Sequence, residues 1–435
     1  MSAGSRRHGA VTFGSVATLS QAAVERITNS EKGKNMKLRN PMISAALLVA
    51  CCLQAVACGS MATTSPDAGT TPITTTLGLR DAMRKLWVDH VLWTRVVVID
   101  AAAGLPDLDA ASGRLLQNQV DIGNAIKPFY GEAAGNALAA LLHDHITIAV
   151  EVVGAAKAGD TAKFADAQTR WYANADQIAS FLASANPNWP EADLKMMMKM
   201  HLDKTLADAS ARLGGDWAGE IVANDALVAD ILTMADALSD GIAKQFPALV
   251  STATTTAKDN DLHLAMRALW EDHVTLTRAF LISAIAGLPD TSAAAGRLLQ
   301  NQVDIGNAVK PYYGEAAGNA LAALLHDHIT IAAEVVTAAK AGDAAKFADA
   351  QTRWYANADQ IAVFLAGANP NWPVADLKMM MKMHLDRTLA EASARLGSDW
   401  AADITTYDAI VADILSMADA LSGGIAKQFP TQFVP

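Results

Sequence analysis

Residues 79–247 and 262–430 are the same stretch of chain written twice, at a constant offset of 183 positions and without a gap. Of 169 aligned positions, 136 are identical. This duplication constrains the fold more than any composition figure, because each copy must form the same supersecondary unit and the chain must accommodate two of them. The 33 differences are unevenly placed: 14 fall in 79–112 and 7 in 215–227, whereas 113–214 holds only 10. The first helix of each copy and the start of the last one have drifted, and the middle has not.

Each copy reads as helical. Breakers punctuate it at "GLPD" from Gly104, "KPFYG" from Lys127, "AGD" from Ala158, "NPNWP" from Asn186 and "LGGDW" from Leu213. Between them apolar residues recur at intervals of three and four. Pro190, followed by Glu191 and Asp193, suits a first helical turn, where a missing N–H is harmless and negative charge meets the dipole. No segment alternates with period two over a strand length. At 51% hydrophobic and 18% charged residues the chain has the composition of packed helices. The expected fold is all-α: two tandem, near-identical antiparallel helical bundles of five to six helices each. "STATTTAKDND", residues 251–261, is the expected linker.

The N-terminal part predicts where the protein resides. From Met36 the chain reads "MKLRNPMISAALLVACCLQAVACGS", with a short basic start and an apolar run from Ile43 to Ala57. That run has signal-peptide length and is shorter than the roughly 20 residues of a membrane span. Small residues at Ala55 and Ala57 precede Cys58, as in a bacterial lipoprotein signal, so residues 36–57 are expected to be a lipoprotein signal peptide and Cys58 the lipidated residue. Residues 1–35 then read as a mis-assigned extension, and 58–78 as a flexible tether. The three cysteines are Cys51, Cys52 and Cys58, so the mature body has no disulfide and no cysteine ligand. Beyond residue 57 the chain holds 27 Lys/Arg against 43 Asp/Glu, a net charge of −16, which argues against a nucleic-acid partner. The expected location is the cell envelope, extracytoplasmic and membrane-anchored through Cys58. Gly59 after the cysteine points to the outer membrane if the cell is Gram-negative.

The recurring segments "DHV", "RLLQNQVD", "YGE", "RWYANADQIA", "HLD" and "MADALS" resemble a group of bacterial tandem-repeat helical-bundle proteins with lipoprotein-type signal peptides. The resemblance covers both copies nearly end to end. It implies the fold and the cell type, and no activity.

The chain has no dinucleotide fingerprint, phosphate loop or serine elbow, so histidine, carboxylate and methionine carry the available chemistry. His90, His145 and His201 lie on three different expected helices, each on the apolar face, and His273, His328 and His384 repeat them. Three inward histidines from three helices can meet at one level of a bundle and hold zinc, iron or copper. Asp121, Glu151, Asp304 and Glu334 are candidates to complete such a site. The stretch "LKMMMKMHLD" adds Met197 and Met380 as possible soft ligands, set against the ordinary use of methionine as core filling. Arg114, Asn118 and Asn124, with Arg297, Asn301 and Asn307, step along one helical face and could line a polar pocket. The expected role is binding or scaffolding, with a transition metal or small ligand inside each bundle. The alternatives are a metal-dependent enzyme using the histidines and a purely structural envelope protein.

Overall fold

A computed structural model describes residues 73–434. The expected signal peptide, Cys58 and the N-terminal extension lie outside the described residues. The described chain is all-α, with ten helices: α1 (Thr76–Ala103), α2 (Leu108–Ala158), α3 (Thr161–Ala185), α4 (Glu191–Gly214) and α5 (Trp217–Gln245), then α6 (Ala257–Ala286), α7 (Thr291–Ala341), α8 (Ala344–Ala368), α9 (Val374–Leu396) and α10 (Trp400–Gln428). The one small sheet among the described residues pairs β1 (Thr74–Thr75) in parallel with β2 (Val250–Ser251).

The helix ends follow from their residues. Thr75 caps α1 by accepting from the Gly78 N–H at 3.0 Å, and Asp216 caps α5 by accepting from Gly219 at 2.9 Å. Such caps contribute about 1 kcal/mol each. Gly104 ends α1 in the left-handed region at φ 69°, where a side chain would be strained. Two expected boundaries move. α1 begins inside the stretch read as tether, and α6 begins at Ala257, inside the stretch read as linker. The reason is local: Thr256 accepts from the Asp259 N–H, so a polar run that resembles a linker is an N-cap and a first turn.

"KPFYG" turns its helix instead of ending it. Pro128 and Gly131 (φ 82°, ψ 169°) put a corner into α2, and Gly314 does the same in α7. The two arms then pack closely. A Cβ on Gly123 would stand 2.6 Å from the Gly135 carbonyl oxygen, so only glycine permits this approach.

Two large apolar clusters form the core. One draws on Leu79, Trp87, Ile122, Trp171, Leu202 and Ile231, all from the first copy. The other joins Trp354, Ile361, Leu385 and Ile410 of the second copy to Leu92, Trp93 and Val96 of α1. α1 therefore serves both cores. The contacts between copies are reciprocal. Arg212 pairs with Asp290 and Arg395 with Asp107; Arg114 pairs with Asp408 and Arg297 with Asp225. Within each couple, adding 183 to the Arg of one contact and subtracting it from the Asp gives the other contact, the signature of a pseudo-twofold, isologous junction.

The junction also explains where the copies drifted. Trp93 stacks edge-on against Tyr407 at 5.9 Å, and the Arg278 guanidinium lies 4.7 Å from both ring centroids. The corresponding positions of the other copies are Leu276 and Asn224. One side of the junction is thus filled by aromatic rings and the other is not.

Three described helices, α2, α7 and α10, are long and apolar enough to cross a membrane by length and composition. In α2 and α7 the 51 residues divide at a corner, and α2, α7 and α10 each contribute buried residues to the apolar clusters.

Candidate metal centre

α1, the second arm of α2, and α4 each present one histidine to a common point. His90, His145 and His201 are all buried, and one nitrogen of each lies within 4.8 Å of the others. Ring centroids are 5.6 Å apart for His90 and His201, 5.9 Å for His145 and His201, and 6.4 Å for His90 and His145. The surroundings are apolar, with Val97, Ile146, Val153 and Leu206 beside them and the Trp171 ring 5.4 Å from His145.

Asn174 on α3 sets the proton on His145. Its Nδ2 donates to the Leu141 carbonyl at 3.1 Å, which turns its Oδ1 toward His145 Nδ1 at 2.9 Å. An amide oxygen only accepts, so Nδ1 carries the hydrogen and Nε2 keeps a lone pair. That Nε2 is buried without a hydrogen-bond partner among the described residues, as are Nδ1 of His90 and Nδ1 of His201. Burial, opposed by neighbouring Asn118, holds the His90 pKa down to about 4. Burial and then the His90 charge bring His145 to about 3, and the same causes, with His145 added, push His201 well down. All three imidazoles are therefore neutral at pH 7, the form that binds a metal.

This donor set fits a transition-metal ion. Buried polar atoms without partners are rare in folded proteins, and each of the three converging histidines carries one. Three nitrogens bound at about 2.0–2.1 Å stand roughly 3.3–3.6 Å apart, so nitrogens within 4.8 Å of one another need to close by at most about 1.5 Å. The second copy repeats the arrangement slightly more openly. His273 and His384 are 5.8 Å apart, His328 and His384 6.0 Å, and Asn357 holds His328 Nδ1 at 3.0 Å. Among the described residues, only the first-copy triad meets the 4.8 Å separation.

The other candidates do not join the histidines. Glu151 is exposed and holds Arg170 at 2.5 Å; six residues on from His145, it stands about 120° round the helix from it. Asp121 accepts from Gln117 at 2.9 Å on its own helix. Asp304 and Glu334 repeat these placements with Gln300 and Arg353. Met197 and Met380 are half-buried and pack against the apolar clusters, while Met198 and Met381 are core residues and Met196 and Met200 face solvent. The methionine stretch is thus divided between core and surface, and its histidine alone enters the site.

The polar stripe is not one pocket either. Arg114 reaches Asp408 and lies 5.4 Å over the Trp93 ring, Asn118 is buried and donates to the Leu86 carbonyl at 2.9 Å, and Asn124 is exposed. Arg297, Asn301 and Asn307 follow suit, with Arg297 on Asp225 and Asp272 and Asn301 on the Leu269 carbonyl. A long helix running from junction to core to surface gives one stripe three environments.

Sequence reasoning missed Asn174 and Asn357. Their signal was an asparagine inside "RWYANAD" on the same face as Trp171, Ala175 and Ile178, where a polar residue needs a partner. The chain matches no protein-family model, no curated protein and no solved structure.

Proposed function

We propose that each copy is a helical bundle that holds one transition-metal ion on its three histidines, and that the chain is a lipid-anchored protein of the bacterial cell envelope. The observation carrying the metal reading is the convergence of three buried, neutral imidazoles, each with an unpartnered nitrogen and one fixed in its tautomer by Asn174. A metal-bound imidazole whose other nitrogen is held by a hydrogen bond is the usual arrangement of a built site. The three donors carry no charge, and none of the carboxylates reaches them, so the bound ion keeps its full charge in apolar surroundings. That favours copper(I), with a single charge, or zinc completed by a small anionic ligand. The open space beside the histidines is about 30 Å³, room for one water-sized ligand. Holding an ion therefore fits better than turning over an organic substrate.

The test is titration of zinc and of copper(I) into metal-stripped protein beginning at Gly59. About two tight sites per chain are expected. The His145→Ala variant should retain about one, with its helical content unchanged by circular dichroism. A folded wild-type chain that takes up neither ion overturns the reading. Incorporation of labelled fatty acid, lost in Cys58→Ala, tests the anchor separately.

A further inference from the structure

The open side of the junction encloses a pocket of about 270 Å³ between α1, α5, α6 and α7. It is distinct from both histidine clusters. Val88, Val91, Leu232 and Leu269 form apolar walls. Two arginines also line it, and each is already matched. Arg95 is held by Glu220 at 2.8 Å, and Arg297 bridges Asp225 at 2.8 Å and Asp272 at 2.9 Å. Glu271 is the exception. Its side chain lines the pocket, the residue is only 5% exposed, and its Oε1 has no hydrogen-bond partner among the described residues. The first copy has Val88 at that position, which lines the same pocket, so the carboxyl is particular to the second copy.

We propose that this pocket binds a small organic cation, an ammonium group carried on an aliphatic or aromatic body. The ammonium pairs with Glu271, the one lining carboxyl left without an opposite partner, and the body lies against the apolar walls. Burial, with the Asp89 charge next, raises the Glu271 pKa to about 8, so near neutral pH the carboxyl gives up its proton as the ammonium arrives. The protein itself shows the fit of such a body. On the pseudo-symmetric side, Tyr407 stands where this side has Asn224, and its ring fills the equivalent space against Trp93. Removing that ring leaves a vacancy of about the size of a small ring or a short chain, with room left for a charged head.

The probes are 2-phenylethylamine and hexylamine, with 2-phenylethanol and hexanol as uncharged counterparts, titrated calorimetrically into the metal-free full chain. The wild type is expected to bind the amines at least tenfold more tightly than the alcohols. Glu271→Val, which installs the first copy's residue, should weaken the amines at least tenfold and the alcohols little. Asn224→Tyr, which installs the residue of the filled side, should weaken both. Thermal melting of each variant confirms that it is folded. Equal affinity for amine and alcohol, no change on Glu271→Val, or no binding of either amine overturns the proposal. Because the protein is metal-free throughout, none of these outcomes depends on the histidine site.

Discussion

Replacing Asp100 by serine is expected to stabilise the protein, and to do so only above acid pH. Asp100 on α1 is fully buried, and neither carboxylate oxygen has a hydrogen-bond partner among the described residues. It faces Asp107, Arg395, Arg278 and Asp403. Burial, with the Asp107 charge next, raises its pKa from 3.8 to about 7 against the pull of the two arginines. The second copy solves the same corner with Ser283, whose hydroxyl donates to Asp290 at 2.9 Å while Arg212 pairs with that carboxylate. In the unfolded chain Asp100 ionises near 3.8, and in the folded protein it keeps its proton to about 7. Between those values the folded state binds more protons, so stability falls as pH rises, and the loss is complete above the upper one. At roughly 1.36 kcal/mol per pH unit of separation the penalty is on the order of 4 kcal/mol. The smaller serine leaves a void worth about 1 kcal/mol, and its hydrogen bond to Asp107 returns about as much. Asp100→Ser should therefore be more stable by about 2–4 kcal/mol near pH 8 and nearly equal to wild type near pH 4. Urea unfolding at both pH values, read as a shift of midpoint at constant slope, measures this. A variant that is less stable near pH 8, or whose advantage does not depend on pH, refutes the reasoning.

Three further outcomes are expected. Gly241→Ala would place a Cβ 1.9 Å from Nε1 of buried Trp189, so it should lose roughly 1–3 kcal/mol despite alanine's better helix propensity, measurable by chemical denaturation. Asn174→Ala frees the His145 ring and should weaken metal binding at the first-copy site by about 10–100-fold in a competition titration, leaving the second-copy site unchanged. His263 on α6 gains a raised pKa from its hydrogen bond to Asp81 across the junction, so its contribution is full below 6.5 and disappears as pH rises through the folded value. His263→Gln should cost up to about 1 kcal/mol near pH 5 and nothing near pH 9.

Helical content and inward histidines were legible because both depend on local spacing. A residue three or four positions from Leu86, Leu142 or Met198 must share its face, whatever the rest of the chain does. Relative height was not legible. Whether His90, His145 and His201 meet depends on the corner at Gly131, which a reading of "KPFYG" as a simple break does not supply. The same gap separated the polar stripe from its true surroundings. Arg114 looked like a neighbour of Asn118 and Asn124, yet its partner is Asp408, 294 residues away. Glu151 could have been set aside from sequence, since six residues from His145 is the wrong face; Asn174 could have been found by asking why an amide sits in an apolar row.

The reciprocal junction has a consequence for how this protein can change. In a pair of identical subunits related by a twofold axis, every substitution occurs twice, once on each side. Joining the copies in one chain removes that tie. Trp93 and Leu276 can then differ, as can Asn224 and Tyr407, so that one side of a shared surface closes and the other stays open. Meanwhile Arg114–Asp408 and Arg297–Asp225 are retained on both sides and keep the halves in register. Fusion gave a symmetric contact the freedom to become a pocket on one side alone.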